Sequence, residues 1–194
     1  MATPGHHTLS VLVANRPGVL SRVSGLFSRR GFNIESLAVG PTERPDRSVI
    51  TIRVDCTKHS VDQVAKQLDK LIDVIDVIEV QPDMAIEREL LLIKVKSDAN
   101  ARLEIMRLAE VFNAHVVDAG ADALLLECVE HPDRLAALEE LLAPYTIVEA
   151  VRTGRVAMTR ASVSNDAGRT SLRVFEISDR KSTRLNSSHL VISY

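Results

Sequence analysis

The chain has few of the residues that a nucleic-acid-binding surface needs. Its 194 residues include no tryptophan and only 3% aromatics, and the formal charge at pH 7 is -2. Proteins that bind nucleic acids usually combine a basic surface with stacking aromatic side chains. We therefore expect no nucleic-acid partner. Apolar residues make up 45% of the chain, which is enough for the core of one larger domain or two small ones.

Cysteine and long apolar runs are also scarce. The two cysteines, Cys56 and Cys128, lie far apart and form no CxxC pair, which argues against a disulfide framework and a zinc site. We interpret both as reduced residues that pack in a core. No stretch approaches the roughly 18 apolar residues of a membrane span, and the first residues lack the pattern of a signal peptide. We expect a cytoplasmic protein with no membrane contact.

No set of residues has the spacing of a catalytic or metal site. A nucleophile with a base, paired carboxylates and clustered metal ligands are all missing from the pattern. Asp73, Asp76 and Glu79 fall at period three on a predicted strand, whose alternating faces would separate them. The histidines are scattered and are expected at the surface or at strand ends: His6, His7, His59, His115, His131 and His189. We therefore predict no catalytic residues and no bound metal in this chain.

Apolar periodicity predicts six elements in the first half, in the order strand, helix, strand, strand, helix, strand. Pro17 presets φ for the first turn of a helix, which carries an apolar face and should end at Gly31, where glycine takes a left-handed conformation without strain. A capping pair, Ser60 and Gln63, precedes the second helix. The strands are predicted at Thr8–Ala14, Ile34–Val39, Ser48–Cys56 and Val74–Val80. This order is the ferredoxin-like plan, an α+β fold in which two helices cover one sheet face.

A second copy of the same pattern follows the first. Strands are predicted at Glu89–Lys96, His115–Asp118, Ala123–Val129 and Thr146–Arg152, with helices that end near Asn113 and begin at Pro132. Gly154 to Arg160 is expected to extend the last strand. The sequence thus predicts two ferredoxin-like βαββαβ repeats, a domain of residues 1–82 and a domain of residues 83–160, joined around Gln81 to Ile86. Cys56 and Cys128 then fall at matching strand ends.

The end of the chain differs in character from these repeats. Residues 161–178 are polar and are expected to form a loose tail. Residues 179–194, DRKSTRLNSSHLVISY, resemble the conceptual translation of a sequencing-library adapter. We interpret that segment as a disordered assembly artefact and exclude it from the fold.

One turn has the features of a ligand site. Asn15-Arg16-Pro17-Gly18 opens the first helix, where unpaired N–H groups and the helix dipole favour a carboxylate, and Gly18 permits close approach. Asn15 is able to cap the turn and to accept a hydrogen bond from an ammonium group. Asn33 and Ile34, at the start of the next strand, would supply polar and apolar walls. The other interpretation is a simple helix-starting turn with an asparagine cap; Arg22, Arg29 and Arg30 are interpreted as a solvated face.

These residues resemble a known family. The stretch NRPGVLSRVSGLFSRRGFNIESLAVGPTE, with SVITIRV and QLDKLIDVIDV after it, is similar to the N-terminal ACT domain of the regulatory, or small, subunit of acetolactate synthase. The similarity is specific over residues 8 to about 80. It continues more loosely through EREL and IVEAVRTGRVAMTR in the second half.

The resemblance implies a regulator without chemistry of its own. Small subunits of this family bind and activate the thiamine-diphosphate-dependent catalytic subunit and confer feedback inhibition by valine or another branched-chain amino acid. Thiamine diphosphate, Mg and FAD are then expected on the catalytic subunit and no cofactor on this chain. The resemblance also implies a homodimer of ACT domains in which Asn15 and Gly18 of one protomer bind the effector together with Asn33 and Ile34 of its partner.

The second repeat lacks the features of the turn. At the corresponding place it has Ser97-Asp98-Ala99-Asn100, with neither proline nor glycine and with a negative charge where a ligand carboxylate would lie. We expect no valine site there.

Two other classes of protein share this strand order or this turn. An RNA-recognition motif shares this strand order, but the strand Val49–Val54 offers no stacking aromatics. A stand-alone ACT-domain amino-acid sensor, regulating another metabolic enzyme or transcription, is harder to reject from the turn alone; the second half, with its ending TIVEAVRTGRVAMTR, favours the synthase subunit.

Overall fold

The computed structural model describes residues 5–163, whose helices and strands repeat one order twice. The first half contains β1 (His6–Ala14), α1 (Val19–Arg30), β2 (Asn33–Pro41), β3 (Arg47–Asp55), α2 (Val61–Asp69) and β4 (Val74–Val80). The second contains β5 (Ala85–Lys96), α3 (Ala99–Val111), β6 (His115–Ala119), β7 (Ala123–Glu130), α4 (Pro132–Leu142), β8 (Ile147–Arg152) and β9 (Val156–Thr159). The expected tail from residue 164 on, and the segment interpreted as an artefact, lie outside the described residues.

Both halves have the predicted ferredoxin-like topology. The first sheet has the strand order β2-β3-β1-β4, and the second has the order β6-β7-β5-β8. Neighbouring strands run antiparallel in both sheets. The α+β class and the two βαββαβ repeats are therefore confirmed.

Each sheet buries one face beneath its two helices. Along β1, the side chains of Leu9, Val11 and Val13 alternate into the core, as expected for a strand with one covered face. The first core also contains Val19, Val23, Leu26, Phe27, Ile50, Ile52, Val54, Val64, Leu68, Val74 and Val77. The second core contains Leu91, Ile93, Val95, Ile105, Ala109, Ala114, Leu124, Leu126, Cys128, Leu135, Leu138 and Leu142.

The end of α1 and the start of α2 lie where the sequence signals predict them. Gly31 lies after α1 in the left-handed conformation, with φ of 67°, and its N–H bonds to carbonyls of the last turn. The backbone N–H of Gln63 donates to Ser60 Oγ over 3.3 Å at the start of α2.

The start of β5 and the end of the last strand differ from the prediction. β5 begins at Ala85 rather than Glu89, because residues 85–88 form a ladder with a later strand, β9. Gly154 to Arg160 does not simply lengthen β8. After a break at Thr153 to Arg155, β9 forms a separate strand that pairs with residues 85–88 of β5.

Both cysteines are free thiols that contact the cores. Cys128 lies in β7, is 1% exposed, and its thiol donates to the Phe112 carbonyl oxygen over 3.4 Å. Cys56 directly follows β3 and packs against the first core while remaining partly exposed. Burial raises the pKa of each thiol, and the nearby Asp55 and Glu130 carboxylates add to the rise for Cys56 and Cys128 respectively. Both cysteines therefore favour the unreactive, protonated form.

Reaction with a thiol reagent at neutral pH should distinguish the two sites. We expect Cys128 to react at least about tenfold more slowly than Cys56, because its thiol becomes accessible only when the second half opens. Labelling followed by peptide mass spectrometry measures both rates, with Cys56→Ala and Cys128→Ala variants as controls. Similar rates for both thiols in the folded protein would contradict the burial of Cys128.

Candidate functional site

The turn between β1 and α1 is exposed and is opened by a glycine in a left-handed conformation. Gly18 is the N-cap residue of α1, with φ of 83° and ψ of -5°. No side chain of the described residues caps the amides of the first helical turn. Because these amides lack a side-chain partner, the turn presents the anion-binding end of the helix to solvent.

Asn15 and Pro17 do not act as the sequence predicted. The helix begins at Val19, so Pro17 lies in the connecting turn rather than in the first helical turn. Asn15 is not a helix cap: its Nδ2 donates to the Pro45 carbonyl oxygen over 3.0 Å and thereby ties the turn to the β2–β3 loop. A left-handed glycine starts the helix instead, and this leaves the Asn15 side-chain oxygen as an acceptor.

Arg22 is a feature of this turn that the sequence analysis missed. Its Nε donates to Asp73 Oδ2 over 2.6 Å, and the Asp73 side chain is almost fully buried. A methyl group added at Gly18 would lie 3.3 Å from Arg22 Nη1. The guanidinium is thus held next to the first turn rather than free in solvent. Its partner is 51 residues away in the sequence, so local patterns could not reveal the pair.

Asn33 and Ile34 lie at the opposite end of the sheet. Ala14 at the end of β1 pairs with Arg47, whereas Asn33 at the start of β2 pairs with Asp55. The nine residues of β2 span roughly 26 Å at about 3.3 Å per residue. Within one chain the structure brings Asn15 near Gly18 and Asn33 near Ile34, but it does not bring the two pairs together.

In the second repeat, the side chain of Asp98 caps the helix that follows the corresponding turn. Asp98 is the N-cap residue of α3, and its carboxylate accepts hydrogen bonds from the N–H groups of Asn100 and Ala101 over 2.9 and 2.8 Å. The first-turn N–H groups of α3 are therefore capped by a side chain, whereas the corresponding groups of α1 are not.

An apolar cleft of about 540 Å³ lies on the other face of the first sheet. Its walls are that sheet and β9, and its lining includes Ala38, Val49, Ile78, Val156 and Met158. None of Asn15, Gly18, Asn33 and Ile34 lines this cleft. It is separate from the predicted effector residues.

Within residues 5–163, no helix is long and apolar enough to cross a membrane. The same residues contain no group of three or more His, Cys, Asp or Glu side chains placed to hold a metal ion.

The fold and the turn define the first half as a domain of the ACT class. A family model for the AHAS small subunit-like ACT domain matches residues 9–76, and a model for the small subunit of acetolactate synthase matches residues 88–161.

Relatives match across both halves. The acetolactate synthase small subunit of Mycolicibacterium smegmatis is 49% identical over 79% of this chain and 91% of its own length. The probable acetolactate synthase small subunit of Archaeoglobus fulgidus is 49% identical over 80% of this chain and 98% of its own length. The crystal structure of the acetolactate synthase small subunit from Thermotoga maritima superposes with a TM-score of 0.75 at 38% identity, covering 80% of this chain and 97% of that one. This chain belongs to the acetolactate synthase small subunit family, and it is accordingly a regulatory subunit of an enzyme complex.

Because Gly18 is in a left-handed conformation, replacing it with alanine should change the stability of the protein differently from replacing Gly25, in the middle of α1. We expect Gly18→Ala to destabilise the protein by about 1 to 2 kcal/mol, because a side chain there strains the backbone. Gly25→Ala, inside the same helix, should instead stabilise it by up to about 1 kcal/mol, since its methyl group meets only the flexible end of Arg29. Urea unfolding midpoints measure both; equal effects would contradict the assigned conformation of the turn.

Proposed function

We propose that this chain activates the catalytic subunit of acetolactate synthase and confers feedback inhibition by valine, or by another branched-chain amino acid. The observation that carries the proposal is the uncapped, glycine-opened start of α1 in a chain of this family. Activation requires contact with the catalytic subunit, whereas inhibition requires the bound amino acid. A substitution can therefore remove one property and leave the other.

The chemistry of the turn suits the polar end of a free amino acid. The N–H groups of the first turn of α1 can donate hydrogen bonds to a carboxylate, and the guanidinium of Arg22, paired with Asp73, lies beside them. The side-chain oxygen of Asn15 is an acceptor for the ammonium group. Asn33 and the partly buried Ile34 supply polar and apolar contacts for the rest of the ligand. A small aliphatic side chain matches Ile34 better than a charged one does.

A two-fold dimer would join the two separated halves of this site. Among the described residues, β2 pairs with β3 on one side and with no strand on the other. Antiparallel pairing of two β2 edges would set the start of one β2 beside the end of the other. The end of β2 lies at the same end of the sheet as Asn15, since Pro41 and Val13 both pair with Ser48. Asn33 and Ile34 of one protomer would then approach Asn15 and Gly18 of its partner.

The remaining expectations follow from the same proposal. Thiamine diphosphate, Mg and FAD belong to the catalytic subunit, and this chain contributes regulation without binding them. A cytoplasmic location also stays a prediction.

A stand-alone ACT-domain sensor is the alternative function. The first half by itself is compatible with it. The match of residues 88–161 to the model for the small subunit of acetolactate synthase favours the subunit over the sensor.

The substitution Gly18→Asp should separate the two regulatory properties. A carboxylate at the turn would face the ligand carboxylate, and such a like-charge contact costs several kcal/mol. We expect valine binding to weaken by at least about a hundredfold in calorimetric titration, with loss of valine inhibition in assays of acetolactate formation. Stimulation of the catalytic subunit should be retained.

Gly18→Ala is the matched control, because it also places a side chain at this left-handed position but adds no charge. It should lose less affinity for valine than Gly18→Asp does. Equal loss of activation and of inhibition in a folded Gly18→Asp protein would contradict the separation of the two roles.

Mixing two inactive variants tests whether the site is shared between protomers. Asn15→Ala and Asn33→Ala homodimers should each lose valine binding. In a mixed dimer, one site receives both alanines and the other receives both asparagines. After unfolding and refolding an equal mixture, we expect about a quarter of the wild-type number of sites. No recovery in mixtures shown by mass spectrometry to contain mixed dimers would mean that each chain builds its own site.

A further inference from the structure

The connection between β8 and β9 is seated directly on β2. The backbone N–H of Arg155 donates to Ser36 Oγ over 3.0 Å. A methyl group at Gly154 would collide with the Leu37 carbonyl, so the two backbones touch. The second half of the chain thus contacts β2 two residues after Ile34, in the strand proposed to supply Asn33 and Ile34 to the effector site.

Two buried carboxylates of β5 anchor this contact. Glu87 is 6% exposed and Glu89 is 8% exposed. Arg155 Nη1 donates to Glu87 Oε2 over 2.7 Å, and Arg155 Nε lies 3.5 Å from Glu89 Oε1. Buried charges are tolerated only when they are paired and hydrogen-bonded in place. The position of Arg155 is therefore fixed with respect to β5.

The same ion pairs continue into the first sheet. Thr8 Oγ1 donates to Glu87 Oε1 over 3.0 Å and accepts a hydrogen bond from Arg53 over 3.4 Å. Arg53 Nε lies 3.3 Å from Glu35 Oε2. Glu35 directly follows Ile34, so the chain of polar contacts returns to the beginning of β2.

At its other end the chain of contacts reaches α4. Arg152 Nη2 donates to Glu89 Oε2 over 2.6 Å, and Arg152 Nη1 donates to Glu139 Oε2 over 3.1 Å. We name the whole set the interdomain network: Thr8, Glu35, Ser36, Arg53, Glu87, Glu89, Glu139, Arg152 and Arg155. It joins three strands of the first sheet to β5, β8 and α4 of the second half.

We propose that the interdomain network, centred on Glu87 and Arg155, transmits effector occupancy from β2 to the second half of the chain. The inference rests on the proposed effector site, because it takes β2 as the strand that the ligand restrains. A shift of β2 moves Ser36 and Glu35, and the network converts that shift into a displacement of β5 and α4, since its buried charges cannot be left unpaired. Removal of the central pair should disconnect the two halves without removing the ligand contacts.

The test replaces both central charges together. The double variant Glu87→Met with Arg155→Met leaves no buried charge without a partner at these two positions, and Glu89 keeps Arg152. Such apolar replacement of a whole buried pair is often neutral for stability. The matched control is Lys94→Met with Glu149→Gln, which removes an exposed pair between β5 and β8 outside the network.

Hydrogen–deuterium exchange with and without valine is the first measurement. In the wild type and in the control, valine should slow exchange by about threefold or more both around α1 and β2 and in β9 and α4. In the double variant, protection around α1 and β2 should remain and protection in β9 and α4 should disappear, with valine affinity changed by less than about threefold. Protection of β9 and α4 equal to that of the wild type would overturn the inference while leaving the proposed effector site intact.

Calorimetric unfolding without any effector is the second measurement. The wild type and the control should unfold in one cooperative transition, and the double variant in two, because the halves have separate cores and lose their main polar connection. A single transition in the double variant would overturn the inference, whether or not valine binds. Absence of valine binding in the wild type would overturn the proposed effector function, and the unfolding result would still decide whether the network couples the halves.

Discussion

Strand β5 is the element on which the rest of the structure depends. Its last eight residues form the centre of the second sheet, between β7 and β8. Its first four pair with β9 and bring Glu87 to Thr8 of the first sheet. One continuous strand therefore belongs to the core of one half and to the polar contacts of the other. Glu87 and Glu89 of β5 tolerate burial only when they are paired with Arg155 and Arg152. These pairs hold the end of β8 and the start of β9 against β5.

The two repeats share a topology and differ at the one turn where a ligand would bind. Both sheets bury one face beneath two helices. At α1 a left-handed glycine opens the helix and leaves its first amides without a side-chain cap among the described residues. At α3 the Asp98 carboxylate accepts from those amides. Both repeats therefore carry the match to the family, whereas the proposed effector site draws on the first repeat.

Local periodicity was sufficient to predict the fold, because each repeat buries alternate strand residues and one helix face. The strand Val74–Val80 was predicted with its observed bounds. The start of β5 was not, since residues 85–88 pair with β9, which lies more than 60 residues later in the chain. The role of Asn15 as a helix cap was wrong for a related reason: its partner is Pro45, across the loop. The Arg22–Asp73 pair was equally beyond local patterns.

The Asp98 cap has a consequence for how the two halves respond to the surroundings. A carboxylate attached through its own backbone competes at an effective concentration far above that of any dissolved metabolite. The second repeat thus carries a permanent, covalently tethered counterpart of the acid group that the proposed effector would bring to the first repeat. On the proposed function, one half of the molecule would respond to changes in metabolite level, and its duplicate would be insulated from them.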